Sequence, residues 1–381
     1  MRVALFATAA AMDFDVHVIV VPVAGAPPRV STPTAAPFTV TVVELAQRAQ
    51  MKRDLSAMLG DAAGRARLAA AAPLPAAARR ASPVLAAEIA ALLPPGPVPV
   101  HVTRSYLAPL GVAVAERIGA PWTTLDLDDD DESVVARLGD AVEAEAYGRL
   151  VHVFAPLFTA TAVAAAHEAD ALAARHPIAP AVIPNAVVVP ERTGQANTAP
   201  PDDGALLFVG NLTYPPNVEA ATTLALDVVP EVRRLVGRRV VLSIAGPVDA
   251  GPQAIAGHDP DVRWLGFVPD LAPVYAAARV VVAPLRAGGG TRIKLLEAFA
   301  HRVPVVSSTA GAAGLDVVDG VHLLIADGAV DTARAVVRVL EDDSLARALR
   351  DNAADLVRRS YSHEAVTPLV RAFLSDASAS G

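Results

Sequence analysis

The sequence predicts an α/β protein built as two doubly wound domains, and three features carry that prediction. Short apolar, β-branched runs alternate with segments of helical spacing, the alternation runs through both halves, and a polar stretch rich in Pro and Gly, "ERTGQANTAPPDDG" at 191–204, separates the halves. Strands apolar on both faces must be covered on both faces, which implies parallel strands with helices above and below. At 381 residues the chain is also too long for one ordinary core.

Each element has its own reason. The Ala-rich opening "MRVALFATAAAMDFDVHVIVV" reads as a helix over 2–12 feeding a strand, because the residues between two strands there would be too few for a parallel crossover of about a dozen. On this reading the sheet of the first domain lacks its usual first strand. Strands follow at 15–23, 38–45, 98–103 and 122–128, with helices at 43–59, 83–92, 104–118 and 134–148. In the second half, "ALLFVG" (205–210), "RVVLSIAG" (239–246), "DVRWLGFV" (261–268), "RVVVAP" (279–284), "VPVVSS" (303–308) and "HLLIAD" (322–327) are strands bounded by Gly, Pro or Asp, and helices fill 217–236, 270–278 and 291–301. The expected organisation is a first domain at 1–190, a linker at 191–204, a second domain at 205–361, a last helix at 362–375 packing back on the first domain, and a disordered tail at 376–381.

Composition excludes several classes. No run reaches the roughly 18 apolar residues of a membrane span, and the N-terminus lacks the charged, apolar and small-residue order of a secretory signal, so the expectation is a soluble, cytoplasmic protein. With no cysteine there is no thiolate nucleophile or thiolate metal site. A net charge of −8 argues against nucleic-acid binding. Arg48, Lys52, Arg53, Arg65, Arg67, Arg79 and Arg80 concentrate positive charge, either as a weak peripheral membrane contact for a lipid-linked acceptor or, the favoured reading, as a solvated helical face.

Chemistry concentrates in "APLRAGGGTRIKLLEAFA" (283–300). Ligands of open parallel sheets bind beyond the carboxyl ends of the strands, where loops lead into helix N-termini. Gly288, Gly289 and Gly290 let backbone N–H groups approach an anion, Thr291 opens the helix, and the helix dipole adds about half a positive charge there. Lys294 and Glu297 share a helix face, and Arg292 reaches the same anion. A diphosphate would satisfy Lys294 and Arg292, leaving Glu297 to accept hydrogen bonds from a ribose. A flexible loop followed by a surface ion pair is the bland alternative. Neither GxxxxGK[ST] nor GxGxxG is present at this loop.

Together with "LLFVGNLTYPPNVEAA" and "WLGFVPDLAPVYAAARVVVAPLRAGGG", the run "GGGTRIKLLEAFAHRVPVVSS" resembles the nucleotide-sugar-binding domain of family 4 retaining glycosyltransferases of the GT-B fold, strongly over about 205–360 and more weakly in "LDLDDDDES" and "VIPNAVVVP". The resemblance implies two Rossmann-like domains facing a cleft and transfer of a sugar from a nucleotide-diphosphate sugar to a hydroxyl acceptor, with retention and without a metal or resident cofactor. It implies that Lys294 contacts the diphosphate, Glu297 the ribose, the backbone at Gly266 and Phe267 the base, and Gly288–Gly290 the phosphate and sugar. Gly210 and Asn211 fall on the donor side. The family's arginine after that glycine is Asn211 here and no lysine follows in "TYPPN", so two of the family's cations are missing and Arg292 is expected to compensate.

In "LDLDDDDES" the resemblance puts Asp126 beside the reacting sugar, with Asp128 at the cleft. Two other readings stay open: Asp126 and Asp128 as the DxD metal motif of the other major glycosyltransferase fold, and an acidic helix N-terminus with no further role. His101 and Arg104 point to the acceptor side. The acceptor is a saccharide, a lipid-linked saccharide or a small metabolite. Two competing functions are a degenerate glycosyltransferase acting as a binding or scaffold protein and a dinucleotide-dependent oxidoreductase.

Overall fold

The computed structural model describes residues 2–22, 36–43, 66–67, 70–78, 83–190, 205–248, 259–286 and 292–381. The expected linker, most of the expected helix at 43–59, and all of the basic residues at 48–80 except Arg67 lie outside them. The chain forms two compact units, Met1–Pro184 with Val366–Gly381, and Asn185–Ala365. No helix among the described residues is long and apolar enough to cross a membrane.

The first unit opens with the helix Arg2–Ala10, as the Ala-rich pattern predicts. β1 (His17–Val20) then pairs in parallel with β2 (Thr39–Val42). A four-stranded parallel sheet follows in sequential order: β3 (Val100–Thr103), β4 (Thr123–Asp126), β5 (Ala160–Val163) and β6 (Ala181–Val182). Neither β5 nor β6 was expected, because "ATAV" and "AV" are short and dominated by alanine, a weak strand former. The single helix expected at 134–148 is two, Asp131–Arg137 and Ala141–Phe154. Gly139 takes φ +90° between them, and the Asp140 carboxylate caps the second by accepting from the Glu143 N–H at 2.9 Å. Leu125, Leu150, Phe154 and Leu172 lie at the centre of this unit's core.

In the second unit six parallel strands form one sheet in the order β12–β11–β10–β7–β8–β9, with β7 Leu206–Val209, β8 Leu242–Ala245, β9 Val262–Gly266, β10 Val280–Ala283, β11 Val305–Ser307 and β12 Leu324–Ile325. Numbered within the unit, this is the doubly wound order 3-2-1-4-5-6. Alternate residues serve opposite faces. Leu206, Phe208, Val280 and Val282 pack under the helices Val229–Val236 and Ala329–Glu341, whereas Leu207, Val281 and Ala283 pack under the helix Ile293–Ala300 and the segment Val357–Tyr361. Burial on both faces is why these strands read as unbroken apolar runs; each fully buried Leu, Val or Phe contributes about 1.5–3 kcal/mol.

The last helix, His363–Ser380, runs through the tail expected to be disordered. Val366, Val370, Phe373, Leu374 and Ala377 form one buried stripe along it, so a small alanine, not a large apolar residue, continues the packing past 376. Arg371 closes that helix onto the first unit by donating to both Asp13 oxygens at 2.7 Å.

Candidate functional site

Sheet order sets the position of the site. From β7 the chain proceeds to β8 and β9 on one side, and from β10 to β11 and β12 on the other, so the carboxyl ends of β7 and β10 flank a switch point where crossovers leave in opposite directions. Gly210 and Asn211 follow β7, and the helix Ile293–Ala300 follows β10.

Lys294 lies in the first turn of that helix, and its ammonium turns inward. Nζ donates to Asn217 Oδ1 at 2.6 Å and stands 4.6 Å from the ring centroid of Phe208, which is fully buried in β7. Burial, reinforced by the neighbouring Arg292 guanidinium and opposed by Glu297, pushes Lys294 down to about 7. Arg292, immediately before the helix, is only 9% exposed and donates to the Ala310 carbonyl at 3.1 Å. One turn beyond Lys294, the Glu297 carboxylate accepts from the Tyr275 hydroxyl at 3.2 Å, and the Tyr275 ring stacks on His301 at 4.7 Å. Burial raises the Glu297 pKa above the ordinary carboxylate range, with Tyr275 and Lys294 acting in the other direction.

The opposite wall is backbone. Gly210 N–H donates to the Ala245 carbonyl at 2.9 Å and Gly246 N–H to the Gly266 carbonyl at 2.8 Å, bringing three strand ends together. At Gly246, with φ +145°, a Cβ would lie 1.9 Å from the Gly210 carbonyl oxygen, so only glycine allows this approach. The adjoining Phe267 is 61% exposed, a flat apolar face beside Gly266. A buried arginine, a half-buried lysine, a carboxylate one turn away, bare backbone and an exposed ring are the parts needed to bind an anion joined to a hydroxylated, planar group.

Of the residues expected from the sequence, Lys294, Arg292, Glu297, Gly210, Asn211, Gly266 and Phe267 all belong to this edge of the second unit, while Gly288, Gly289, Gly290 and Thr291 lie outside the described residues. Sequence reasoning passed over Asn217, Phe208 and Tyr275. The Asn in "YPPN" was a readable signal, as a polar residue in the first turn of a proline-started helix, Pro215–Thr223.

Asp126, Asp128, Arg104 and His101 belong to the first unit, and the structure reassigns two of them. Asp126 is fully buried, and Arg2 takes both of its oxygens at 2.7 Å while donating to the Ile183 carbonyl at 2.7 Å. That carboxylate is committed to a bidentate pair inside the core, which corrects the expectation that it acts beside the reacting sugar. His101 lies within β3, not at its end; its ring stacks on Phe6 at 4.7 Å and its nitrogens meet Thr124 Oγ1 at 2.8 Å and Thr103 Oγ1 at 3.4 Å. Burial holds it at about 3, neutral and packed, in place of an acceptor-side role. The rest of the acidic run is paired as well. Arg104 meets Asp128 at 2.7 Å and Asp129 at 2.9 Å, Arg175 meets Asp130 at 2.6 Å, and Asp131 accepts from the Ser105 hydroxyl. Arg104 and Arg175, each about a third exposed, are the reachable cations of this group. Among the described residues no cluster of three His, Asp or Glu side chains could hold a metal ion. Arg67 of the basic stretch pairs with Glu116 at 3.1 Å.

Comparison with known proteins bears on the fold of the chain and on the family of its second half. Residues 203–342 match the family model described as glycosyl transferases group 1. An uncharacterized 44.6 kDa protein of the cps region of Klebsiella pneumoniae is 27% identical over 169 residues, 42% of this chain and 43% of that relative, so the match spans less than half of the relative's length. Among solved structures, sucrose-phosphate synthase of Thermosynechococcus elongatus superposes with a TM-score of 0.72 at 17% identity, covering 100% of this chain and 93% of that one. HepE of Anabaena in complex with UDP and glucose gives 0.61 at 15% identity over 77% and 81% of the two chains. TarM of S. aureus, solved as a mutant with UDP, gives 0.59 at 13% identity over 72% of this chain and 54% of that one. The fold of the chain is GT-B, and the glycosyl transferases group 1 match falls on the unit that carries Lys294.

Proposed function

We propose that the protein transfers a sugar from a nucleoside-diphosphate sugar to a hydroxyl of a saccharide, a lipid-linked saccharide or a small metabolite, with retention, without a metal, and in the cytoplasm. The observation that carries this reading is the Lys294 ammonium held at the strand crossover beside Arg292, where burial and like charge make an incoming diphosphate its best available partner. As the bond between the sugar C1 and the diphosphate oxygen breaks, its electron pair leaves on that oxygen, and Lys294 and Arg292 stabilise the charge. The acceptor oxygen bonds to C1 and its proton is released. Removing one such preorganised donor typically costs about 2.7–4 kcal/mol of barrier. Glu297 is assigned to the ribose hydroxyls, Gly266 and Phe267 to the base, and Gly210 with Asn211 to the donor side. Gly288–Gly290 and Thr291 keep their sequence assignment to the phosphate and sugar. Arg104 and Asp128 are assigned to the acceptor. Retention rests on the family resemblance, and independence of metal on the two cations available to the diphosphate.

Titration calorimetry against UDP, GDP and TDP, followed by donor hydrolysis with the matching sugar nucleotides, tests the reading. One base should bind, and Lys294→Ala should lose that binding with the fold intact by circular dichroism. Wild-type affinity in Lys294→Ala would refute the assignment, and binding without hydrolysis or transfer would favour a binding protein. The uridine arm has a precedent in the HepE and TarM structures, both of which hold UDP.

A further inference from the structure

Asn217 is placed by contacts that leave its amide one orientation. Its Nδ2 donates to the Asn211 carbonyl at 2.8 Å, so Oδ1 is the end that faces Lys294. Its backbone N–H donates to the Tyr214 carbonyl at 3.0 Å, and the residue is 8% exposed. A Cβ on Gly210 would stand 2.9 Å from Asn217 Cγ, so the glycine after β7 opens the space into which the amide fits. A lysine side chain ordinarily samples many rotamers. Here Asn217 Oδ1 and the Phe208 ring fix its far end. A carboxylate at 217 would also hold the ammonium but would cancel its charge, whereas a neutral amide holds it and leaves the charge for a ligand. The charged groups that act on Lys294 are Arg292 and Glu297, the latter engaged by Tyr275.

We propose that Asn217 is the positioning residue of the site, docking the Lys294 ammonium at the end of β7 so that its charge is presented, uncancelled, to a diphosphate. The presentation to a diphosphate rests on the function proposed above; the docking does not.

The chain contains only two lysines, Lys52 and Lys294, so ¹⁵N-lysine labelling gives two ammonium resonances, which Lys52→Arg assigns. Without nucleotide, Asn217→Asp should raise the Lys294 titration midpoint by at least one pH unit and leave that of Lys52 in place. Asn217→Ala should broaden or displace the Lys294 resonance, and Asn217→Ser, which restores a neutral acceptor, should recover part of it. UDP affinity should fall at least tenfold in both Asn217→Asp and Asn217→Ala with circular dichroism unchanged. Should Asn217→Asp fail to fold, Gly210→Ala, which crowds the amide, gives the second test and should displace the same resonance. An unmoved Lys294 midpoint in folded Asn217→Asp, or an unmoved resonance in Gly210→Ala, would overturn the docking. A shifted midpoint in a protein that binds no nucleoside diphosphate would uphold the docking and refute the function.

Discussion

Raising the pH from 7.5 to 9.0 should weaken UDP binding about 20-fold, and the effect can be worked from Lys294 alone. With its midpoint at about 7, the free site carries the charged ammonium in about a quarter of molecules at pH 7.5 and in about one in a hundred at pH 9.0. A diphosphate at the ammonium favours the charged form, so the complex holds the proton that the free protein has lost, and affinity follows the charged fraction. The phosphate is already past its second ionisation near pH 6 over this range, so the ligand's own charge stays constant. The loss amounts to about 1.9 kcal/mol at 1.36 kcal/mol per tenfold change. Calorimetry in two buffers of different ionisation enthalpy should show uptake of about 0.8 proton per UDP at pH 7.5, rising toward one at pH 9.0. A flat affinity between these values, or the same slope in Lys294→Met, would refute the reasoning.

Three more expectations follow from the same geometry. Arg2→Leu strands the buried Asp126 carboxylate and should cost about 3–5 kcal/mol in urea unfolding; a loss below about 1 kcal/mol would mean that the pair is not buried as described. Burial, opposed by Ser105 and Arg104, lifts Asp131 to about 6, above its unfolded value, so its cost to the fold is absent below about pH 4 and fully present above pH 6. Asp131→Asn should therefore gain roughly 1 kcal/mol over wild type as pH rises from 5 to 7.5, and urea melts showing no such divergence would contradict this. Gly246→Ala drives a methyl into the Gly210 carbonyl and should cost about 1–3 kcal/mol while also weakening UDP binding; a stability and affinity both equal to wild type would contradict the close approach.

The second unit was legible because the demands on it are local. A strand covered on both faces needs an apolar residue at nearly every position, and the central β7 and β10 announced themselves in this way, while the edge strand β9 alternates and carries Arg263. The first unit is built with a fainter vocabulary. Alanine serves there in helix Arg2–Ala10, in strand β5 and in the helix Ala166–Arg175, so composition alone cannot separate the three, and β5 was passed over. The division at Gly139–Asp140 was readable as a glycine followed by a helix cap, yet the apolar spacing on either side carries across it.

At the candidate site the same contrast sorts the residues by how far their reasons reach. Lys294 and Glu297 could be read because they sit one turn apart in one helix, where spacing fixes which side chains share a face, and Arg292 because it immediately precedes that helix. Asn217 could not, since its partner lies 77 residues along the chain and only the sheet order brings the helices after β7 and β10 to one edge. Arg2 is the extreme case, 124 residues from Asp126. An arginine in an apolar helix suggests a buried acid somewhere, but a run of five acidic residues from 128 to 132 beside Asp126 offers no way to choose among them. The choice is made by position along the strand end. Asp126 closes β4 and takes Arg2, while Asp128 and Asp130, also buried, sit on the following loop and helix start and meet Arg104 and Arg175. Asp126, which the resemblance put beside the reacting sugar, is therefore held in a buried ion pair, and the reachable cations of that acidic run are Arg104 and Arg175, each about a third exposed.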